Sequence, residues 1–123
     1  MAKRIEEVAK FSAEAFGGTA ELFMDWGAAP VVNDPEMAEF AGKCAKEVLG
    51  EEHVITRVKA PNMGGEDFAF YLGEVPGAFM FLSSANPEKK TDFPHHNPNF
   101  NIDEDVLWEG SAIFVKIASE FLK

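Results

Sequence analysis

The chain has 123 residues, 46% of them hydrophobic, and a formal net charge of −10 from 21 acidic and 11 basic side chains. This acidic balance argues against nucleic acid and against an anionic membrane surface as partners, because both require a cationic face. No apolar run approaches the ~20 residues of a membrane helix, and the length predicts a domain that buries roughly two-thirds of its extended surface. Residues 1–7 lack the apolar segment of a secretory signal, so we expect a cytoplasmic location.

The first third of the chain predicts a helix, a strand and a linker. Apolar residues recur at three- and four-residue spacing between residues 3 and 16, and Gly17-Gly18 supplies the stop that helices favour. Residues 19–26 alternate, which predicts a half-buried strand with Ala20, Leu22, Met24 and Trp26 on one face. The glycine, prolines and short side chains that follow predict a linker with a domain boundary near Pro30.

The middle of the chain predicts alternating helices and strands. Asp34 before Pro35 is a strong helix start, and an apolar stripe continues from there to Gly50. Cys44 lies on this stripe, so we expect a buried structural thiol and no nucleophile. Residues 54–58 are β-branched and residues 78–83 largely apolar, so both predict strands, with a short helix at about residues 66–72 between them. This order predicts a layered α/β domain from residue 34 onward.

The last part predicts a long loop and a long helix. Residues 84–103 contain three prolines and no periodicity, and a loop of that length is either functional or mobile. Asp103 can cap the final helix, which we expect to run for about 19 residues across the sheet.

Gly64 and Gly65 stand before the predicted short helix. Backbone N–H groups of such a turn can approach an anion closely, and a carboxylate is the obvious ligand. The same pattern suits a tight turn with Glu66 or Asp67 capping the helix, and the local sequence favours this second interpretation.

His95 and His96 are adjacent in the long loop. On an extended segment their side chains point in opposite directions, so only one should bind a given metal. A loop histidine without a partner is usually solvated or hydrogen-bonded. A metal hydrolase needs at least three ligands and an acid or base, yet the sequence contains no His-x-Asp and no His-x-x-x-His. It also lacks the Gly-x-Ser-x-Gly elbow of serine hydrolases.

Taken together, several motifs carry a resemblance to a known family. They are MGGEDF at residues 63–68, VPGAF at 75–79 and HNPNFNIDEDVL at 96–107, with PVVNDP at 30–35 upstream. The chain closely resembles, over essentially its whole length, the C-terminal part of the metal-dependent amidohydrolases and carboxypeptidases typified by hippurate hydrolase and N-acyl-amino-acid amidohydrolase.

The resemblance implies two partial domains and one wall of a site. Residues 1–30 would be a helix and strand from an α+β lid, or dimerisation, domain, and residues 31–123 the C-terminal half of a layered α/β metallopeptidase-like catalytic domain. The complete enzyme would bind a divalent metal, usually zinc, with His96 as the final ligand and His95 as its non-ligand neighbour. Gly64 and Gly65 would lie near the substrate carboxylate.

The family's other metal ligands and its general base have no counterpart in this chain. A lone imidazole cannot hold a catalytic zinc, so no residue here is assigned as catalytic and this chain alone is expected to bind no catalytic metal. The chain would therefore work with a separate N-terminal half on N-acyl amino acids or small peptides. Alternatively, it is an inactive remnant that serves as an oligomerisation or interaction module. Uncovered apolar surface and strand edges predict self-association in both cases.

Overall fold

The computed structural model describes residues 1–58, 60 and 62–123, and within them every regular element is helical. The α-helices are α1 (Ala2–Ala15), α2 (Pro35–Leu49), α3 (Ala69–Glu74) and α4 (Leu107–Phe121), with 3₁₀ turns at Glu51–His53 and Glu104–Val106. None of the helices in this described part is long and apolar enough to cross a membrane. The predicted helices near the N-terminus and after Asp34 are confirmed.

The start of α2 shows why its prediction from sequence succeeds. The Oδ1 atom of Asp34 accepts a hydrogen bond from the backbone N–H of Met37 at 3.0 Å, and Pro35 occupies the first helical position. The helix ends at Gly50, whose φ of +94° lies in the region that favours glycine. Both boundaries are therefore set by residues at or directly beside the ends of the helix in the sequence.

The two later helices begin further along the chain than predicted. The cap of α3 is Phe68, so residues 66 and 67 precede the helix instead of opening it. Asp103 does act as a cap, but the turn that it begins is 3₁₀: its side chain accepts from the N–H of Asp105, and α-helical geometry starts only at Leu107. The final α-helix thus has 15 residues instead of about 19.

The small core lies where α2 packs against α4. Cys44 is 2% exposed, which confirms the expected buried thiol. The other buried apolar residues are Ala41 and Ala45 on α2, Ile113 on α4 and Ala69 on α3. The rings of Phe40 and Phe121 meet across the same interface with centroids 6.2 Å apart.

The predicted strands at residues 19–26, 54–58 and 78–83 are not formed, since no residue of the described part belongs to a strand. A strand requires a neighbour for its backbone N–H and C=O groups, and the described residues contain no ladder between these segments. Ile55, Val58 and Phe81, which a layered fold would cover, are 81%, 75% and 72% exposed. The expected sheet is thus not found in this part of the chain.

The chain also buries less surface than its length predicts. Its accessible surface is 10464 Å², whereas a self-contained monomer of this mass exposes about 6,500 Å². The buried share of the extended surface is therefore about half and not two-thirds. One reason is α1, which contains no buried residue and packs against no other helix of the described part.

The junction before α2 is fixed by a side chain. The amide of Asn33 donates from Nδ2 to the carbonyl of Phe79 at 3.0 Å and accepts at Oδ1 from the N–H of Phe79 at 2.8 Å. The N–H of Asp34 donates to the carbonyl of Gly77 at 2.9 Å. These bonds hold residues 33 and 34 against residues 77–79, while the proposed boundary near Pro30 stays a prediction.

Candidate functional site

The two loop histidines occupy the centre of a tight turn. The N–H of Asn97 donates to the carbonyl of Pro94 at 3.2 Å, which places His95 and His96 at the two middle positions. His96 has φ = +67°, a left-handed conformation that few non-glycine residues adopt, although histidine does so more often than most. The His96 side chain is exposed and forms no hydrogen bond with the described residues.

The ring of His95 makes an aromatic contact, whereas the ring of His96 makes none with the described residues. Its ring meets Phe100 edge to face, with centroids 4.9 Å apart and planes at 89°. A second turn follows directly, because the N–H of Phe100 donates to the carbonyl of Asn97 at 2.9 Å, and the N–H of Asn99 donates to Oδ1 of Asn97 at 2.9 Å. The structure thus gives the two adjacent histidines different surroundings, although both side chains are exposed.

The glycine turn lies three residues before the cap of α3. The N–H of Gly64 is already used, since it donates to Oδ1 of Asn62 at 2.8 Å. Around Gly65 no atom of the described residues, apart from its two chain neighbours, lies within 4 Å of where a Cβ would be, so this side of the turn leaves space for a ligand. The Oε1 atom of Glu66 accepts from the N–H of Phe68 at 3.2 Å, but Phe68 is itself the cap of α3 and receives no side-chain capping bond, so the helix cap predicted for Glu66 or Asp67 is not formed. A role for Gly64 and Gly65 in binding a carboxylate stays a prediction.

The described residues do not assemble a metal centre by themselves. No group of three or more His, Cys, Asp or Glu side chains is placed to hold an ion within residues 1–58, 60 and 62–123. An exposed imidazole is a suitable nitrogen ligand for zinc, so His96 fits one coordination position of a site that needs at least three protein ligands. The remaining positions would have to come from elsewhere.

A buried polar network lies at the base of the histidine loop. Thr91 and Asp103 are 5% and 7% exposed and are the buried polar residues of the described part. Hydrogen bonds from Lys89 and then Asn86 lower the pKa of the Asp103 carboxyl, and the bonds to Asp103 and Asp105 raise the pKa of Lys89. Sequence reasoning treated Asp103 only as a helix cap. The Asn86-Pro87 pair is a turn signal, and it is the feature of the sequence that indicates local structure at the start of this network.

Comparison with protein families places the chain among peptidases. Residues 7–120 match the family model described as peptidase family M20/M25/M40. The chain belongs to this family, which confirms the resemblance drawn from its motifs. Membership implies an α/β fold and a divalent metal in complete members.

Similar curated proteins carry hydrolase names. The chain is 35% identical to the IAA-amino acid hydrolase ILR1-like 6 of Arabidopsis thaliana over 98% of its own length and 26% of that protein's. It is 32% identical to thermostable carboxypeptidase 1 of Saccharolobus solfataricus, over 86% of the chain and 26% of that protein. With the YhaA protein of Bacillus subtilis it shares 34% identity, over 94% and 29% respectively. No solved structure matches. The chain therefore spans between a quarter and a third of the length of these relatives.

Proposed function

We propose that the chain forms the C-terminal part of a metal-dependent amidohydrolase or peptidase that cleaves the amide bond of N-acyl amino acids or small peptides. The observation that carries this proposal is the exposed imidazole of His96, held on a turn at φ = +67° in a chain of the M20/M25/M40 peptidase family. A strained conformation of this kind is commonest where function requires it. Relatives named as an IAA-amino acid hydrolase and a thermostable carboxypeptidase support the substrate class.

His96 would contribute one ligand to the metal. A bound divalent ion, with zinc the expected one, would polarise the amide carbonyl and lower the pKa of a coordinated water. The family resemblance makes His95 the non-ligand neighbour, and its ring contacts Phe100. The turn that closes between Pro94 and Asn97 would hold the His96 imidazole in place.

Gly64 and Gly65 would contribute to the binding of the substrate carboxylate. Gly65 supports this role better than Gly64, because the space around it is open while the N–H of Gly64 already donates to Asn62. A Gly65→Val exchange would place a branched side chain in that space and should raise KM. The change should leave kcat less affected, because the turn carries no reacting group.

The other metal ligands and the general base would come from a polypeptide region that this chain does not contain. The chain covers 26% to 29% of the relatives' lengths, and its large exposed surface offers contact area for such a region. The working enzyme would thus combine this chain with the remaining N-terminal portion, which makes up most of the length of these relatives.

The test is complementation. The chain is mixed with a polypeptide that carries the whole portion of a relative upstream of the matched region, and metal-dependent hydrolysis of N-acetyl amino acids is measured. Activity should arise only in the mixture and should be lost in His96→Ala, while His53→Ala, an exposed histidine outside the loop, serves as the matched control. No gain in activity on mixing would overturn the split-enzyme proposal.

A second candidate is an inactive interaction module. It is supported by α1, which has no buried residue and exposes apolar side chains: Val8 is 52% exposed and Phe11 is 66% exposed. An apolar stripe of this kind favours association with another surface. Sedimentation at micromolar concentration should then show an oligomer that Phe11→Ser weakens and His96→Ala leaves unchanged. A wild-type monomer would count against this candidate.

A further inference from the structure

The two ends of the long loop meet at one carbonyl oxygen. The carbonyl of Ser84 accepts from the N–H of Asp103 at 3.2 Å and from the Oγ1 hydroxyl of Thr91 at 3.0 Å. The residue where the loop begins is thereby joined both to the residue where it ends and to a residue in its middle. The loop is consequently divided at Thr91.

The first portion, residues 86–91, is closed on itself. The N–H of Thr91 donates to the carbonyl of Asn86 at 3.0 Å, and the N–H of Asn86 donates to Oγ1 of Thr91 at 3.0 Å. The side-chain Oδ1 of Asn86 also accepts from the N–H groups of Glu88 and Lys89 at 3.0 and 3.4 Å. Only residues 92–102 therefore remain as an open arc, and His96 lies near its middle.

The far end of the arc is held by the Asp103 carboxylate. Its Oδ2 accepts from Nδ2 of Asn86 at 2.7 Å, and its Oδ1 accepts from Nζ of Lys89 at 2.6 Å and from the N–H of Asp105 at 3.2 Å. Lys89 also binds the Asp105 carboxylate. Burying a carboxylate is costly unless both oxygens are paired, and here both are. Such a fully satisfied network specifies one arrangement of its members.

We propose that Thr91 and Asp103 are positioning residues: they fix the two ends of the arc 92–102 and so set the direction in which His96 is presented. The metal-binding role of His96 rests on the proposed function, whereas the clamp itself rests on the hydrogen bonds alone. Within the arc the chain is organised mainly by the turns that close at Asn97 and Phe100. Because both ends of the arc are fixed, these local turns hold His96 in a defined position relative to α4.

The first test measures the order of the arc by ¹⁵N relaxation of the isolated chain. Thr91→Val removes the hydroxyl at nearly constant shape, and Thr91→Ser keeps it. Asp103→Asn removes the charge, and Glu104→Gln, at an exposed neighbour outside the network, is its matched control. Heteronuclear NOE values of residues 94–100 should fall in Thr91→Val and Asp103→Asn, and should stay at the wild-type level in the other two. The amides of α2 and α4 should be unchanged in all four.

Wild-type NOE values for the arc in Thr91→Val and Asp103→Asn would overturn the proposal. If those variants do not fold, Lys89→Met removes one partner of Asp103 from a side chain that is 46% exposed. Amide exchange at Asn97 and Phe100 should then be faster than in the wild type, and equal exchange rates would overturn the proposal in the same way.

The second test uses the complemented enzyme. Thr91→Val should lower kcat on the order of tenfold or more, because a small misplacement of a reacting centre has an effect of that size. KM should change much less, and Thr91→Ser should restore kcat. An unchanged kcat in Thr91→Val would overturn the positioning role. If the wild-type mixture shows no activity, the proposed function fails, and the relaxation measurements still decide whether Thr91 and Asp103 fix the arc.

Discussion

The Nζ atom of Lys116 on α4 lies 2.6 Å from Oε2 of Glu47 on α2, so an ion pair crosses the interface that contains the core. Lys116 also lies 2.8 Å from Oε1 of Glu120, and Lys123 contacts the same oxygen at 2.8 Å. The bonds to Glu120 and then Glu47 raise the pKa of Lys116. Lys116 and then Lys123 lower the pKa of Glu120 to about 2.

This arrangement predicts how stability responds to acid. The pKa of Glu120 is lowered from 4.5 to about 2, so its stabilising contribution is fully present above about pH 4.5 and is lost as the pH falls toward 2. The effect should be small, because these side chains are partly exposed and screened by water. Urea midpoints of the wild type and Glu120→Gln should differ at pH 7 and converge near pH 2. Glu88→Gln is the control, and a difference that does not depend on pH would contradict the assignment.

Ile113 is the buried side chain that α4 contributes to the core. Ile113→Ala should lower the free energy of unfolding by about 2–4 kcal/mol, because it removes buried methyl groups and leaves a cavity. Val115→Ala, on the exposed face of the same helix, should change it by less than about 0.5 kcal/mol. Chemical denaturation of both variants checks this, and equal effects would show that the α2–α4 interface is not the stabilising core.

Two glycines should respond to alanine with opposite signs. Gly50 has φ = +94°, and a Cβ there would lie 3.0 Å from the Glu52 carboxylate oxygens. Gly50→Ala should therefore destabilise the chain by about 1–2 kcal/mol. Gly73 lies within α3 with open space around it, so Gly73→Ala should stabilise that helix by about 0.5–1 kcal/mol. Thermal unfolding of the pair measures both, and the same sign for both would refute the conformational explanation.

The positive φ of His96 predicts that stability and activity separate at this position. His96→Gly should be more stable than His96→Ala by about 1 kcal/mol, because alanine retains the left-handed strain and glycine does not. Both variants should lack complemented activity, since both lack the imidazole. At His95, which has no positive φ, the stability order of the glycine and alanine variants should be reversed. Finding the same order at both positions would argue against strain at His96.

The helices were predictable because their signals are local. Asp34, Pro35 and Gly50 mark the two ends of α2, and the apolar stripe between them carries Cys44 to the core. Strand signals have a different character, since a β-branched run such as residues 54–58 forms a strand only where another segment supplies backbone partners. In the described part of this chain no such partner is present for Ile55 or Val58, and both remain exposed.

In the candidate site, too, the features that depend on local sequence were predicted, and those that depend on distant residues were not. The prediction of His96 rests on its motif, which the sequence carries directly, and that of Gly64 and Gly65 on their lack of side chains; both stay predictions. The network around Asp103 was missed, because it joins Asn86 and Lys89 to a residue more than ten positions away. Hydrogen bonds at that separation leave no periodic trace in a sequence.

The amide of Asn33 pairs with the Phe79 peptide much as a neighbouring backbone would, offering one donor and one acceptor to the same residue. Because these two hydrogen bonds hold the start of α2, the residues before Asn33 are not needed to orient this helix. Residues 33–123 should therefore tolerate insertions or deletions between residues 27 and 32. A new domain could be inserted there without a change in the structure of residues 33–123.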